Sequence, residues 1–402
     1  MQLGIGLGVT SRNRWSSGRA PYQGLVAAGI PSTMVAFTST VSSSRTPMSL
    51  TEAVGVSNPM RLVFAGAFNG VAFVNSISMR CAIEYGGVTY PVFFSGARDV
   101  TININATVIS DSFSSVEIPA GATFNFRATQ TGAKSFRNLL TGSSMRYDTQ
   151  GASNADTDLT GALGGTPVAN QGYLPHQVIA STTKPTYALV GDSVMYGFKD
   201  ISSSANARTG IIARFIPSDI AFINLGISGS NTSNWYSTAG NLKGLIQYTS
   251  NVVGNHGVNF SDSIATIDAL YANSEFTGKT IWQCTLTPRV ASSSDGYTTL
   301  AGQTLRGAPD LTVMNAINSG LRAGSSTKVA KVLDVNPPLV DPTVITNCAW
   351  QAPSGVALTD DGVHPGVGSS GIGYIRVFNA DFASYGVPAN RTPTSALFAA
   401  GS

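Results

Sequence analysis

The chain is poor in charge. Asp, Glu, Lys and Arg make up only 11% of its 402 residues, against about 25% in an average soluble protein. The formal net charge is +3, and the sequence contains no cluster of Lys and Arg. Nucleic acids and anionic membrane surfaces therefore have no electrostatic basis for binding. The many Gly, Ser, Thr and Asn residues favour a location outside the cell or on a virion without fixing one.

Cysteine and long apolar runs are also scarce. Cys81, Cys284 and Cys348 are widely spaced and form no CxxC pair, which indicates buried apolar side chains rather than a zinc site or a disulfide framework. One disulfide with one free thiol stays an alternative. No apolar run approaches ~18 residues, so we expect no membrane span. Residues 1–10 have no basic region before their apolar part and make a poor secretion signal.

The length and the 43% apolar content are sufficient for two domains with sizeable cores. Between about residues 59 and 132, stretches such as 101–105 and 123–127 alternate polar and apolar residues, with turn signals between them. This pattern predicts an antiparallel β-sandwich-like domain. We divide the chain into a β-rich accessory domain with an N-terminal extension (1–135), an irregular connecting segment (136–184), a second domain (185–390) and a tail (391–402).

From residue 185 onward, apolar strands alternate with helical segments. Strands are predicted at 187–190, 221–225, 251–254, 279–286 and 329–335. Helices are predicted at 205–215, 242–250, 264–272, 311–323 and 371–385. Such alternation indicates an α/β fold with a doubly wound parallel sheet. In such sheets the active site forms at the carboxyl ends of the strands.

The tripeptide Gly191-Asp192-Ser193 directly follows the first of these strands. A serine at this point is exposed above the sheet, and its backbone N–H can help to bind an oxyanion. The tripeptide is short enough to occur by chance, and an ordinary Asp-Ser turn is the alternative interpretation. Ser193 is therefore a candidate nucleophile whose partners must come from elsewhere in the chain.

Candidate partners lie near the C-terminus, in Asp361-Gly362-Val363-His364-Pro365. A serine nucleophile needs a base that is neutral near pH 7, and imidazole is the usual choice. Asp361 precedes His364 closely enough for its carboxylate to reach the imidazole Nδ1–H and fix the tautomer. Asp360 is the rival carboxylate, and an ordinary surface histidine is the alternative for His364. We predict Ser193, His364 and Asp361 as the catalytic residues.

Four blocks over about residues 185–386 resemble the SGNH hydrolase superfamily, also called GDSL esterases and lipases. In chain order they are Gly191-Asp192-Ser193, Asn224-Leu225-Gly226-Ile227-Ser228-Gly229, Gly257-Val258-Asn259 and the pair Asp361 and His364. The resemblance implies an SGNH-type three-layer fold and an oxyanion hole formed by the N–H groups of Ser193 and Gly229 and the amide of Asn259. Phe260 stands where the family usually has aspartate, and Gly254-Asn255 is an alternative placement of the third block.

Other residues near these blocks are candidates for contact with a substrate. Trp235 and Tyr236 follow the second block, and we expect them on a loop near the catalytic face. A helix start packed on the sheet is the alternative. Arg289 ends the segment 285–289, which also looks familiar from this superfamily. His256, just before the third block, is expected near the mouth of the pocket as a bystander.

The resemblance implies a serine esterase that works through an acyl-serine, and we predict that it cleaves short-chain acyl esters. The low charge and the accessory β-domain favour O-acetyl groups on a carbohydrate, so the expected partner is an acylated small molecule or carbohydrate. Neither metal nor organic cofactor is expected. Alternatives are a lipase, lysophospholipase or thioesterase of the same superfamily, or a non-catalytic surface or virion binding protein on an SGNH scaffold.

Overall fold

The computed structural model describes most of the chain, with gaps. It describes residues 20–27, 34–37, 41–68, 71–72, 76–131, 134–138, 145–149, 166–169, 171–172, 175–200, 209–259, 262–341, 343, 349–368 and 371–378. The predictions that concern residues 1–10, Phe260, Cys348 and the tail 391–402 therefore lie outside the described residues.

The chain up to Thr182 is built from antiparallel strands. They are β1 Tyr22–Leu25, β2 Met34–Phe37, β3 Val41–Ser49, β4 Arg61–Ala65, β5 Ala67–Phe68, β6 Val71–Ala72, β7 Ile77–Tyr85, β8 Val88–Pro91, β9 Asp99–Ile102, β10 Thr107–Ile109, β11 Thr123–Thr131, β12 Lys134–Asn138, β13 Met145–Thr149, β14 Thr166–Ala169, β15 Gln171–Gly172 and β16 Gln177–Thr182. Two larger sheets have the orders β1-β16-β4-β10 and β14-β13-β3-β11-β7-β8, the latter with β9 also paired to β7. Two smaller sheets are β15-β12-β2 and β5-β6.

The two larger antiparallel sheets share one hydrophobic core. On β11, Phe124, Phe126 and Ala128 alternate into this core, as the two-residue period of a strand requires. Phe64 of β4 meets Phe126 across the core, with ring centroids 6.0 Å apart. Burying a phenylalanine side chain contributes about 1.5–3 kcal/mol, so these rings provide much of the stability of this part.

The second half of the chain contains a five-stranded parallel sheet. Its strands are β17 Tyr187–Gly191, β18 Phe222–Gly226, β19 Asn251–Asn255, β20 Thr280–Cys284 and β23 Lys331–Leu333, in the order β18-β17-β19-β20-β23. Between β20 and β23 along the chain, β21 Ser292–Ser293 and β22 Gln303–Thr304 form a short antiparallel pair. The order reverses at β17, and the crevice at such a point is where α/β sheets bind ligands.

Both faces of the parallel sheet are covered. In β17, Tyr187 and Leu189 contribute to one core cluster, whereas Ala188 and Val190 contribute to another. Successive side chains of a strand point to opposite faces, so a strand buried on both sides reads as a continuous apolar run. The result is three layers.

Short helices form the outer layers. The α-helices are α1 Ser193–Tyr196, α2 Thr232–Thr238, α3 Ile264–Tyr271, α4 Ala308–Arg322 and α5 Ile372–Phe378. Segments of 3₁₀-helix lie at Ala213–Phe215, Gly240–Tyr248, Ser274–Phe276 and Pro353–Gly355. No helix in the described part of the chain is long and apolar enough to span a membrane.

The β-rich part packs against the 3₁₀-helix Gly240–Tyr248. Val63 and Ile179, from the sheet that contains β4 and β16, belong to the same core cluster as Leu245. Gln177 Nε2 donates to Leu245 O at 3.0 Å, and Asn241 Nδ2 donates to Ala106 O at 2.9 Å. The two parts of the chain are therefore joined by apolar contacts as well as hydrogen bonds.

Two predicted helices differ from the structure. Within 205–215, residues 205–208 lie outside the described residues, and the rest forms only the 3₁₀-turn Ala213–Phe215. Gly210 explains the break, because its φ of +95° is left-handed and a Cβ there would lie 2.2 Å from Met195 O. The segment 242–250 is helical as predicted but forms the 3₁₀-helix Gly240–Tyr248.

Two predictions in the β-rich part also need correction. The strand predicted at 101–105 ends at Ile102, because Asn105 turns with a φ of +56° and Ile104 points to solvent. The connecting segment 136–184 is not merely irregular, since it contributes β13–β16 and the end of β12 to the antiparallel sheets. Local turn signals hid these strands, because β12, β13 and β16 pair with β1–β4, which lie far away in sequence.

Both described cysteines are buried free thiols. Cys81 packs in the antiparallel core and Cys284 ends β20. Burial raises the pKa of each thiol well above its usual value. Their buried positions agree with the expectation of small apolar core residues.

Candidate active site

The candidate nucleophile lies at the carboxyl end of β17. Gly191 ends the strand, and Asp192 caps α1 by accepting the backbone N–H of Val194 at 2.9 Å. A Cβ at Gly191 would lie 2.6 Å from Met195 Cβ, so this close turn requires glycine. Ser193 takes the first position of the helix, where its N–H has no partner among the described residues.

The candidate base and its carboxylate lie together on the loop before α5. His364 Nε2 is 2.8 Å from Ser193 Oγ, and His364 Nδ1 is 2.8 Å from Asp361 Oδ2. Asp361 Oδ1 accepts the backbone N–H groups of Val363 and His364, each at 2.9 Å. The structure thus brings together three predicted site residues that span 171 positions of the chain.

Packing fixes the shape of this loop. Gly362 has a φ of +76°, which residues with a side chain rarely adopt. Its carbonyl oxygen accepts the N–H of Val290 and the indole N–H of Trp350, both at 3.0 Å. Trp350 is fully buried. The turn between Asp361 and His364 is therefore anchored in the core.

The ionisation of Asp361 determines the tautomer of His364. Burial would raise the pKa of Asp361, but hydrogen bonds from the His364 side chain and backbone, from Val363 and from Lys199 hold it well below its usual range. An ionised carboxylate can only accept, so Nδ1 of His364 carries the proton. The lone pair on Nε2 then faces the Ser193 hydroxyl, as a general base requires.

The two other nearby carboxyl groups have different partners. Asp360 accepts from Lys199 and, at 2.7 Å, from the N–H of Gly368, and it does not contact the imidazole. Asp192 is fully buried, and burial, partly offset by the Val194 N–H, raises its pKa to about 7. Of these three carboxyl groups, Asp361 is the one that combines contact with His364 and a stable negative charge.

The loop after β18 carries Gly229. Its φ is +79°, and a Cβ there would meet no atom within 4 Å, so glycine is required by the backbone conformation rather than by crowding. Its N–H has no partner among the described residues. Ser230 Oγ donates to Gly191 O at 3.1 Å and to Ile227 O at 2.8 Å, which ties this loop to the nucleophile turn.

Asn259 lies beside the same loop. Its Nδ2 donates to Ser230 O at 2.8 Å. Arg289 Nη1 donates to Val258 O and approaches Asn259 Oδ1 at 3.5 Å. A guanidinium group only donates, so Arg289 favours the orientation in which the amide nitrogen faces the Gly229 loop. The described contacts of Arg289 are with the protein, and its contact with a substrate stays a prediction.

Asp262 is a supporting residue that the sequence analysis missed. It is buried, and its Oδ1 accepts both the N–H of Thr232, at 2.9 Å, and the Thr232 hydroxyl. Asn259 and Asp262 therefore hydrogen-bond to two residues that follow Gly229, Ser230 and Thr232. The sequence does offer a signal for Asp262, because acidic residues are rare in this chain and this one stands next to the third block.

For Trp235, the structure agrees with the alternative interpretation, a helix start packed on the sheet, and not with a loop near the catalytic face. It lies on α2, not on a loop, and is fully buried between the helix layer and the sheet, with its indole N–H donating to Leu225 O at 3.0 Å. Tyr236, also on α2, donates to Glu275 at 2.7 Å and lies under the Lys243 ammonium, 3.6 Å from the ring centroid. Its described partners belong to the helix layer, so its contact with a substrate stays a prediction.

His256 was placed wrongly. We expected it at the mouth of the pocket, but it is completely buried, edge-on to the Trp235 ring with the centroids 6.0 Å apart. Burial lowers the pKa of His256 to about 3. A neutral imidazole in the core agrees with the bystander role. The alternative Gly254-Asn255 block lies inside β19, where Asn255 is buried.

Comparison with known proteins gives a mixed result. No family model matches the chain, and no curated protein matches it. Solved structures that are similar to it include acetylxylan esterases, a GDSL-like lipase and a putative acylhydrolase, all at low sequence identity. An acetylxylan esterase from Geobacillus stearothermophilus is 17% identical, with 51% of this chain and 95% of that chain covered and a TM-score of 0.32. A GDSL-like lipase from Bacteroides thetaiotaomicron is 15% identical, with coverages of 50% and 89% and a TM-score of 0.30. At these scores, neither likeness identifies the activity of this chain.

Proposed function

We propose that this protein is a serine esterase of the SGNH type that hydrolyses short-chain acyl esters, with O-acetyl groups on a carbohydrate as its substrates. The observation that carries the proposal is the hydrogen-bonded series Asp361–His364–Ser193, with both donor–acceptor distances at 2.8 Å. This arrangement activates the Ser193 hydroxyl as a nucleophile, and the proposed reaction then proceeds in two steps, acylation and deacylation.

Acylation is the first step. Nε2 of His364 takes the hydroxyl proton of Ser193 while Oγ attacks the ester carbonyl carbon, which forms a tetrahedral oxyanion. Asp361 stabilises the imidazolium that results. The oxyanion collapses, the bond to the leaving alcohol breaks, and His364 returns the proton to the leaving oxygen. An acyl-serine remains.

The oxyanion needs hydrogen-bond donors that are already in place. The N–H groups of Ser193 and Gly229, which have no partner among the described residues, and the second N–H of the Asn259 amide are the donors we assign. Because they are held by the turn at Gly191 and by the Ser230 and Thr232 contacts, they do not have to reorganise as charge develops.

Deacylation repeats the chemistry with water as the nucleophile. His364 takes a proton from the water as its oxygen attacks the acyl carbon. The second tetrahedral oxyanion collapses, the bond to Ser193 Oγ breaks, and the proton passes to Oγ. A carboxylic acid is released and the free enzyme is restored. Every step uses residues of this chain.

The proposed substrate class follows from the composition of the chain and from its β-rich part. The low charge and the neutral polar composition suit a carbohydrate surface, and the β-rich part of the chain, which we propose as an accessory domain, packs against the segment that follows α2. The β-rich part therefore supports the segment that follows the Gly229 loop and α2. We propose that it also shapes the access of a larger substrate to the site.

The experiment is a series of p-nitrophenyl esters from acetyl to decanoyl, measured with the wild type and with Ser193→Ala. We expect kcat/KM to be highest for acetyl and to fall as the acyl chain grows, and Ser193→Ala to be inactive on all of them. Activity that rises with chain length would contradict the short-chain proposal and favour a lipase or thioesterase. Absence of hydrolysis across the series would contradict the esterase proposal itself.

Asn259→Ala tests the side-chain donor. We expect kcat for p-nitrophenyl acetate to fall roughly 10²–10³-fold, because one oxyanion-hole donor stabilises the transition state by about 3–4 kcal/mol. The measurement is steady-state kinetics together with a thermal melt, since Asn259 also holds Ser230. Asn259→Asp, which replaces the donor with a carboxylate, should be at least as slow. If kcat of Asn259→Ala stays within threefold of the wild-type value, the assignment of Asn259 to the oxyanion hole is contradicted.

A further inference from the structure

Lys199 contacts the carboxylate of the catalytic series, although no motif pointed to it. Its Nζ lies 3.0 Å from Asp361 Oδ2 and also donates to Asp360 Oδ1. Asp361 Oδ2 is the oxygen that accepts the Nδ1–H of His364. One carboxylate oxygen is therefore shared between an ammonium group and the imidazole.

The backbone around Lys199 is docked on the histidine loop. Lys199 itself has a φ of +62°, a left-handed conformation that is unusual for a residue with a side chain. Its carbonyl oxygen lies against Gly366, where an added Cβ would come within 2.3 Å. Tyr374 Oη donates to Phe198 O at 2.9 Å, and the Phe198 ring lies 4.7 Å from that of His364. The segment after α1 is thus held on the loop at several points.

The surrounding charges agree with this arrangement. Burial would lower the pKa of Lys199, but hydrogen bonds and the charges of Asp360 and Asp361 outweigh it and raise the pKa, so the ammonium group stays charged. The Tyr297 and Tyr374 phenols and the Arg289 guanidinium also interact electrostatically with Asp361. The buried Asp192 and Asp200 act in turn on Tyr374.

We propose that Lys199 is a positioning residue whose ammonium group holds the Asp361 carboxylate in place for His364 and sets a positive charge beside the imidazole. The proposal rests on the proposed function. A positive charge beside the shared oxygen opposes a second positive charge on the imidazole.

The test compares Lys199→Met, Lys199→Arg and Lys328→Met. Lys328 is exposed and precedes β23, so it lies at the edge of the sheet opposite the strand ends that carry the site. We expect Lys199→Met to move the acid limb of the kcat/KM profile for p-nitrophenyl acetate to higher pH by about 0.5–1 unit. Lys199→Arg keeps the charge and should restore the wild-type limb. Lys328→Met makes the same change of charge far from the site and should leave the limb in place.

A second variant and a second readout keep the inference testable. Asp360→Asn removes a negative charge that partly offsets the charge of the Lys199 ammonium group. This variant should therefore move the acid limb in the opposite direction, to lower pH. The ¹³C NMR titration of the His364 imidazole, assigned by its loss in His364→Ala, should show the same two shifts without any need for turnover. The NMR titration therefore tests Lys199 even if the protein hydrolyses no ester.

The outcomes separate a positioning role from a structural one. If Lys199→Met lowers the melting temperature or kcat but leaves the acid limb and the His364 titration unchanged, Lys199 is only a brace and the inference is wrong. Ester hydrolysis with an unmoved limb would overturn this inference while the proposed function stands.

Discussion

His364→Ala is expected to lower kcat for p-nitrophenyl acetate by roughly 10³–10⁶-fold, the range over which loss of a triad member acts in serine hydrolases. The reason is geometric, because His364 is the one base within hydrogen-bond distance of Ser193 Oγ among the described residues. Steady-state kinetics over a range of pH measures the effect. The residual rate should rise in proportion to hydroxide and show no acid limb.

A matched variant separates the base from its support. Asp361→Asn keeps the size of the side chain but loses the charge that sets the His364 tautomer, and we expect a loss of roughly 10³–10⁴-fold. Asp360→Asn changes a neighbouring carboxylate that does not touch the imidazole and should keep most of the activity. A His364→Ala protein that retains a tenth of the wild-type kcat would contradict the assignment of the base.

Trp235→Ala is expected to lower the free energy of unfolding by about 3–5 kcal/mol, as large-to-small changes of a buried tryptophan do. Trp235 is fully buried, its indole N–H is hydrogen-bonded to Leu225 O, and its ring packs near Phe276 with the centroids 6.3 Å apart. Removal leaves a cavity between α2 and the sheet and loses the hydrogen bond from the indole N–H to Leu225 O. The shift in the urea unfolding curve, followed by fluorescence and circular dichroism, measures the loss.

Trp235→Phe distinguishes the core position from the substrate contact first expected. The smaller ring fills most of the cavity, so stability should fall less than in Trp235→Ala, and KM for p-nitrophenyl acetate should stay close to the wild-type value. A changed KM together with unchanged stability would show instead that Trp235 meets the substrate.

The parallel sheet could be read from the sequence because its strands are continuous apolar runs. The prediction at 187–190 differs from β17 by one residue, and the predicted 264–272 helix matches α3 to within one residue. In the described part of the segment 205–215, the helix prediction was wrong because composition does not reveal that the backbone at Gly210 must pass close to Met195. Long-range packing, rather than local preference, determined its conformation.

The same distinction applies to the site. Ser193 and His364 could be predicted because their chemistry requires particular residue types at strand ends and short spacings. Lys199 could not, because its contact with Asp360 spans 161 positions and depends on the left-handed turn that follows α1. The sequence could not decide between a loop and a helix start for Trp235, because only the folded helix shows which of its side chains face inward.

Covalent labelling by a fluorophosphonate tests the central claim most directly, because it reports the activated serine without knowledge of the natural substrate. Peptide mapping of the wild-type protein should find the phosphonyl group on Ser193. Labelling should disappear in Ser193→Ala and slow greatly in His364→Ala, while Ser233→Ala, a change at an exposed serine of α2, should label as the wild type does. A folded wild-type protein that takes up no label, or that carries the label on a residue other than Ser193, would contradict the proposal.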